Sequence, residues 1–228
     1  MKIFTYIKED SNRIEKKNFC KIGDLELWKH LIYELNKLNC DIFIDTDSLE
    51  IIESCKTSNP HLSNVTAYSR LFKFIRMEND PNNKLSPAIL MLESFLDNHI
   101  EDENETIVLT HVTSPFLRSP TVTNAVKLYE EGQYEFIHSV NVEKNFAFLG
   151  GFDSPINFDP LVLQRTQDLE QICFSNGAFF IFNKKTFKRH NHRWGESIYF
   201  YPLPPVQGIE VDYPEDLELA RIVYRGMK

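Results

Sequence analysis

Several stretches of this 228-residue chain hold side chains whose types and spacing could do chemistry. IKEDSNRIEKKNF, residues 7–19, brings Lys8, Arg13 and Lys17 close to the polar groups of Ser11 and Asn18. Clustered cations of this kind suit a polyphosphate. The stretch has no glycine to let the backbone approach phosphate, and Glu9, Asp10 and Glu15 would repel one. Composition alone therefore favours a solvated, self-neutralising loop. In THVTSPFLR (110–118), His111, Thr113 and Ser114 lie around a turn set by Pro115. They can hold a ligand or simply shape the turn. Asn176-Gly177, in SNGAFFIF, is a good turn or places an amide at a sheet edge. Glu210 and Asp212 lie two apart in GIEVDYPEDLELA. If that piece is a strand, both carboxylates share a face. Such hard oxygen ligands suit Mg²⁺ shared with substrate phosphates. Finally, Asp45 and Asp47 in FIDTDS form a D-x-D pair, found on metals in sugar-nucleotide glycosyltransferases and also at helix caps.

These residues need elements to position them. KIFTYI (2–7), DIFIDT (41–46), NVTAY (64–68), TIVLTH (106–111), EFIHSVNV (135–142), GAFFIFN (177–183) and SIYFYPL (197–203) read as strands, the last at an edge. GIEVD (208–212) reads as a strand end. Between them lie helical patterns. Residues 24–39 carry Leu25, Trp28, Leu31, Ile32 and Leu35 at helical spacing, with Asp24 as N-cap. Further helices are expected over 48–55, 87–100, 119–132 and 214–226, with Pro87, Pro120 and Pro214 in their first turns. Alternating strands and helices predict α/β layers on a largely parallel sheet. The irregular segment 143–176 breaks that rhythm. Such an insertion is usually a lid, a substrate subsite or a dimer arm.

Composition narrows the classes. The net charge of −8 lacks the basic excess of nucleic-acid binders, so no nucleic-acid partner is expected. No apolar run approaches a membrane span, and MKIFTYIKED is charged too soon for a signal peptide, which points to a cytoplasmic protein without a membrane partner. The four cysteines include no C-x-x-C pair and suit free thiols. HNH at 190–192 reads as solvated loop rather than a nuclease site.

Taken in order, the motifs resemble the acylneuraminate cytidylyltransferase family. That family has a first-loop variant reading V-K-x-x-S-x-R-V-x-x-K-N-F, and this chain keeps Lys8, Ser11, Arg13, Lys17, Asn18 and Phe19 of it. S-T-D-S-E-E-I is similar to IDTDSLEI, and R-P-x-E-L weakens to SRLFKF with Arg70 retained. L-Q-P-T-S-P-L-R becomes THVTSPFLR, with His111 for glutamine; NGAFFIF and IEVDYPEDL complete the series, with Glu210 for the first metal-ligand aspartate. The resemblance implies a three-layer, Rossmann-like nucleotide-diphospho-sugar transferase fold. It implies a mixed, mostly parallel sheet over residues 1–228 as one domain, with a substrate and dimerisation insertion at about 143–176. It implies CTP and an acidic sugar as partners, Mg²⁺ as cofactor, a homodimer, and release of pyrophosphate as CMP-sugar forms.

Carried over residue by residue, the resemblance gives Lys17, Arg13 and Asp212 catalytic roles. Nucleotide contacts fall to Lys8, Ser11, Arg13, Lys17, Asn18, Arg70, His111, Thr113 and Ser114. Lys144, Arg165, Gln167 and Asn176 become sugar contacts, and Glu210 and Asp212 metal ligands. Glu9, Asp10 and Glu15 are expected to turn outward. Two other functions fit the same residues: a glycosyltransferase using Asp45 and Asp47, and a non-catalytic nucleotide or sugar binder.

Overall fold

The computed structural model describes residues 1–57, 62–80, 82–83, 86–150, 154–162 and 164–227. Seven strands form the main sheet: β1 (Lys2–Ile7), β4 (Ile42–Thr46), β5 (Val65–Ser69), β6 (Thr106–Thr110), β7 (Phe136–Glu143), β8 (Ile172–Asn183) and β9 (Ile198–Pro202). Their order is β5-β4-β1-β6-β8-β7-β9. β8 runs antiparallel to both neighbours, and every other pairing is parallel. The remaining strands, β2 (Lys21–Ile22) and β3 (Leu25–Glu26), form a small hairpin.

Period-two alternation builds two cores. From β1, Ile3 and Ile7 face one side with Ile44, Val108, Ile137 and Ile181. Helices α1 (Leu27–Leu35), α2 (Leu49–Thr57) and α5 (Ser119–Glu130) cover that side with Trp28, Leu31, Ile51, Val122 and Val126. Phe4 faces the opposite side with Leu109, Phe180 and Phe182. There α4 (Ala88–His99) supplies Leu92, Phe95 and Leu96, and α6 (Lys184–His190) supplies Phe187. Helix α3 (Phe72–Asn79) follows β5, and α7 (Pro214–Gly226) closes on the hairpin through Leu217, Ala220, Ile22 and Leu27.

The structure corrects several local expectations. Asp24 does not cap a helix: Gly23 turns the β2–β3 hairpin with φ +63°, and α1 begins only after Glu26. A side chain at position 23 would meet the Tyr224 ring, so the tight approach as well as the turn requires glycine. Gly208 ends a turn and residues 209–212 pair in no sheet; the Val211 amide instead donates to the Thr113 carbonyl at 2.8 Å. His190 ends a helix rather than lying in a solvated loop, with its Nε2 2.8 Å from Glu135. The segment expected to be irregular is partly ladder, since Val142 pairs with Cys173 and Glu143 with Ile172. Beyond that ladder an isolated bridge joins Phe148 to Pro155. Residues 151–153 and 163 of the segment lie outside the described residues.

Candidate active site

Strand β1 has β4 on one side and β6 on the other, so the connections leaving its carboxyl end and that of β6 diverge. Open α/β sheets hold ligands in such a crevice. Here it is a cleft of about 690 Å³. Tyr6 and the 8–18 loop form one wall, Met77, Glu78 and Pro87 another, and His111, Thr113, Glu210 and Asp212 the far side.

The loop is held by its own polar groups. Lys16 takes a left-handed turn at φ 45° before a single 3₁₀ turn, Lys17–Phe19. The Asn18 amide nitrogen donates to the Lys8 carbonyl at 2.8 Å, tying the two ends of the loop together. Asn18 is only 6% exposed, and its Oδ1 has no hydrogen-bond partner. Asn18 also lies among the residues lining the cleft.

Asp212 lies between two cations. Lys17 Nζ is 2.8 Å from its Oδ1, and Arg13 Nη1 is 2.8 Å from Oδ2. Lys17 also donates to the Val211 carbonyl at 3.0 Å, and the Arg13 guanidinium lies over the Tyr213 ring. Burial would raise the Asp212 pKa, but the Lys17 hydrogen bond and charge, then Arg13, outweigh it and hold the carboxyl below its ordinary range. Glu210 behaves oppositely. Burial first, then the Asp212 charge, push it up to about 7, and its main polar neighbour is the Thr113 hydroxyl at 3.4 Å. Two neighbouring carboxyls driven apart in this way can hold different protonation states at one pH.

His111 packs behind Glu210. Its Nε2 is 3.0 Å from the Tyr6 hydroxyl. Burial first, then the charge of Arg193, lower its pKa to about 3, so the ring is neutral. Gly177, at φ +66°, passes so close that an added Cβ would lie 3.0 Å from His111 Nδ1 and 3.5 Å from Glu210 Oε1. This glycine lets β8 approach the cleft floor.

Of the residues singled out in sequence, Lys8, Ser11, Arg13, Lys17, Asn18, His111, Thr113, Glu210 and Asp212 line this one cleft. Asp10 lines it as well, contrary to the expectation that it turns outward. Arg70 does not reach it. Its side chain is 0% exposed, with Nε 2.6 Å from Asp45, Nη1 2.7 Å from Glu78, and Nη2 on the Ile7 and Asp45 carbonyls. Asp45 is thereby engaged, and Asp47 accepts the Glu9 amide at 2.7 Å, so each carboxylate of the D-x-D pair already has a partner within the fold. Ser114 is buried in the turn after His111.

The expected sugar contacts also lie elsewhere. Asn176 is buried: Oδ1 accepts from Ser139 Oγ at 2.6 Å and from the Ala178 amide, while Nδ2 donates to Asn141. These bonds hold the ladder beside the bulge in β7. Arg165 is 72% exposed and spent on Asp168 at 2.7 Å; Lys144 and Gln167 are exposed, and none of the three lines the cleft. Sequence reasoning missed Tyr6 and Glu78. Alternation along β1 could have located Tyr6, but Glu78 sits on a helix that the weakened SRLFKF segment does not announce.

The fold and cleft define a class, and comparison agrees. Two solved structures share the architecture at TM-score 0.64. One is CMP:2-keto-3-deoxy-manno-octonic acid synthetase complexed with CTP, 12% identical, over 99% of this chain and 98% of that one. The other is 4-diphosphocytidyl-2C-methyl-D-erythritol synthase from Anaerococcus prevotii, 10% identical, over 98% of each. These likenesses establish the three-layer, Rossmann-like α/β fold. The family model described as Cytidylyltransferase matches residues 9–221, and the chain belongs to that family. An N-acylneuraminate cytidylyltransferase of Streptococcus agalactiae serotype V is 26% identical over 181 residues, which is 77% of this chain and 40% of the relative. N-acylneuraminate cytidylyltransferase A of Danio rerio is 28% identical over 124 residues, covering 52% of this chain and 29% of that one. The chain thus spans under half the length of these curated relatives.

Proposed function

We propose that this protein activates a nonulosonic, sialic-acid-like sugar acid with CTP, giving CMP-sugar and pyrophosphate. The observation that carries the reading is the placement of Arg13 and Lys17 on Asp212, inside the strand-end cleft and beside Glu210. A polyphosphate entering there meets two cations already aimed at a common point, and Lys8 lies on the same wall. The sugar hydroxyl bonds to the α-phosphorus, the bond to the bridging oxygen breaks, and pyrophosphate leaves as the hydroxyl loses its proton. Positioning and charge stabilisation suffice for such a transfer.

Glu210 and Asp212 carry hard oxygen donors of the kind Mg²⁺ takes together with substrate phosphates, and here both Asp212 oxygens are paired with Lys17 and Arg13. Glu210 and Asp212 would hold it, and when bound it neutralises charge building on the leaving pyrophosphate. In this reading the enzyme works in the cytoplasm as a homodimer, with residues 143–176 as its arm.

Pyrophosphate release from CTP and Mg²⁺ with a panel of sugar acids tests the reading. Turnover is expected with at least one nonulosonic acid. Asp212→Asn should lower kcat about 100- to 1,000-fold, as loss of a charge-organising group does, with the melting temperature little changed. CTP binding by calorimetry without release for any acid would replace the enzyme with a binder. Consumption of a sugar nucleotide without pyrophosphate would favour glycosyl transfer.

A further inference from the structure

Tyr6 and His111 meet in the cleft, and the hydrogen bond between them has a direction. Tyr6 lies on β1 and His111 just past the end of β6, and both line the cleft. The Tyr6 hydroxyl oxygen is 3.0 Å from His111 Nε2, with the ring centroids 5.2 Å apart. Which partner donates is decided behind them. The Arg193 side chain hydrogen-bonds the Tyr6 hydroxyl, and a guanidinium has donors only. The Tyr6 oxygen therefore accepts from Arg193, and its own proton is left for His111. Burial keeps His111 neutral, so a ring that accepts at Nε2 carries its one proton at Nδ1.

That second nitrogen faces a space the chain keeps open. A Cβ added at Gly177 would lie 3.0 Å from His111 Nδ1 and 3.5 Å from Glu210 Oε1. Both atoms thus border the room that the missing side chain leaves. The support behind Tyr6 is fixed as well. The Arg193 guanidinium carbon stacks 4.2 Å from the centroid of the Phe180 ring, and the His138 Nε2–H donates to the Arg193 carbonyl at 2.8 Å. Phe180 in turn packs 5.9 Å from the His111 ring. The motif that THVTSPFLR resembles has glutamine where this chain has His111. A glutamine amide always carries a donor, whereas a neutral imidazole carries one only on the nitrogen its partner leaves protonated. Histidine at this position needs a neighbour that glutamine does not.

We infer that Tyr6 is a positioning residue: backed by Arg193, it donates to Nε2 and holds His111 in the Nδ1–H form, which offers a donor to a substrate oxygen beside Glu210. The role of that donor rests on the cytidylyltransferase reading above.

Nitrogen-15 NMR of histidine-labelled protein reads the tautomer without any substrate. His111→Gln identifies the His111 signals by removing them. The wild type should show a protonated Nδ1 and a bare Nε2. In Tyr6→Phe, which keeps the ring and loses the hydroxyl, the proton should move wholly or partly to Nε2. An Nε2–H form in the wild type, or the same tautomer in Tyr6→Phe, would overturn the assignment. Pyrophosphate release from CTP with the sugar-acid panel reads the consequence. Tyr6→Phe should lower kcat about 10-fold, the upper range for one lost neutral hydrogen bond. Added to His111→Gln, it should bring no further loss, because glutamine has no tautomer to set. An equal loss in both backgrounds would show that Tyr6 does not act through His111 and would also overturn the inference. If no acid in the panel releases pyrophosphate, the cytidylyltransferase reading fails, while the NMR comparison still decides Tyr6.

Discussion

With Nε on Asp45, Nη1 on Glu78 and Nη2 on two carbonyls, Arg70 has little left to offer a phosphate. In sequence it looks like Arg13: a cation in a family-like motif after a strand. Burial separates them. Removing one partner of a buried pair strands the other, so Arg70→Met should cost about 3–5 kcal/mol, read as a lower midpoint in urea unfolding. At low temperature, the folded variant should still bind CTP. His138 gives a prediction of a different kind. It is fully buried, its Nδ1 has no partner, and burial lowers its pKa from 6.5 to about 4. Between those values the unfolded chain binds more protons than the fold. Stability therefore falls as pH drops from about 6.5 to about 4, with His138 contributing up to about 3 kcal/mol. In His138→Gln the melting temperature should depend less steeply on pH across that window. An unchanged slope would show that other groups set it.

The elements explain why Asp212 is where it is. Residues 208–212 pair in no sheet, so no ladder holds the two carboxylates. Instead Asp216, in the first turn of α7, accepts the backbone amides of Asp212 at 3.0 Å and Tyr213 at 2.7 Å. A residue that sequence explains fully as a helix-start acid thus also sets the backbone of the site. Asp216→Ala should cost about 1 kcal/mol, as losing a cap does, and should lower kcat as well because Asp212 loses its anchor. Asp216→Asn, which keeps an acceptor oxygen, should recover most of both. An alanine variant with full kcat would remove the positioning role. The seven strands of the main sheet and helices α1, α2, α4, α5 and α7 were legible from their periods, whereas α3 and α6 were not. The β2–β3 hairpin was not, because Leu25 and Trp28 fit helical spacing whether or not the first turn is helical.

At the scale of the molecule, the apolar surface is uneven. Phe148, Leu149, Ile156, Leu161 and Phe174 are exposed within 144–174, Leu161 at 92%. Exposed apolar side chains gathered in one segment suit the dimer arm proposed above. With the proposed arm, light scattering after size exclusion should give twice the 26.8 kDa chain mass. Phe148→Asp with Leu161→Asp should shift the species toward monomer. No helix among the described residues is long and apolar enough to cross a membrane.

Lys8, Arg13, Lys17, Asn18, Thr113, Glu210 and Asp212 line one cleft, a grouping that the family resemblance of the ordered motifs pointed to, although composition alone favoured a solvated loop for residues 7–19. Which similar-looking residues remain free was decided in three dimensions. Arg70, Asp45 and Asn176 are consumed by buried partners 25 to 37 positions away, as Arg70–Asp45 and Asn176–Ser139 show. Burial makes each polar atom find a partner or leave one open for a ligand, and that account closes only when distant strands are brought side by side.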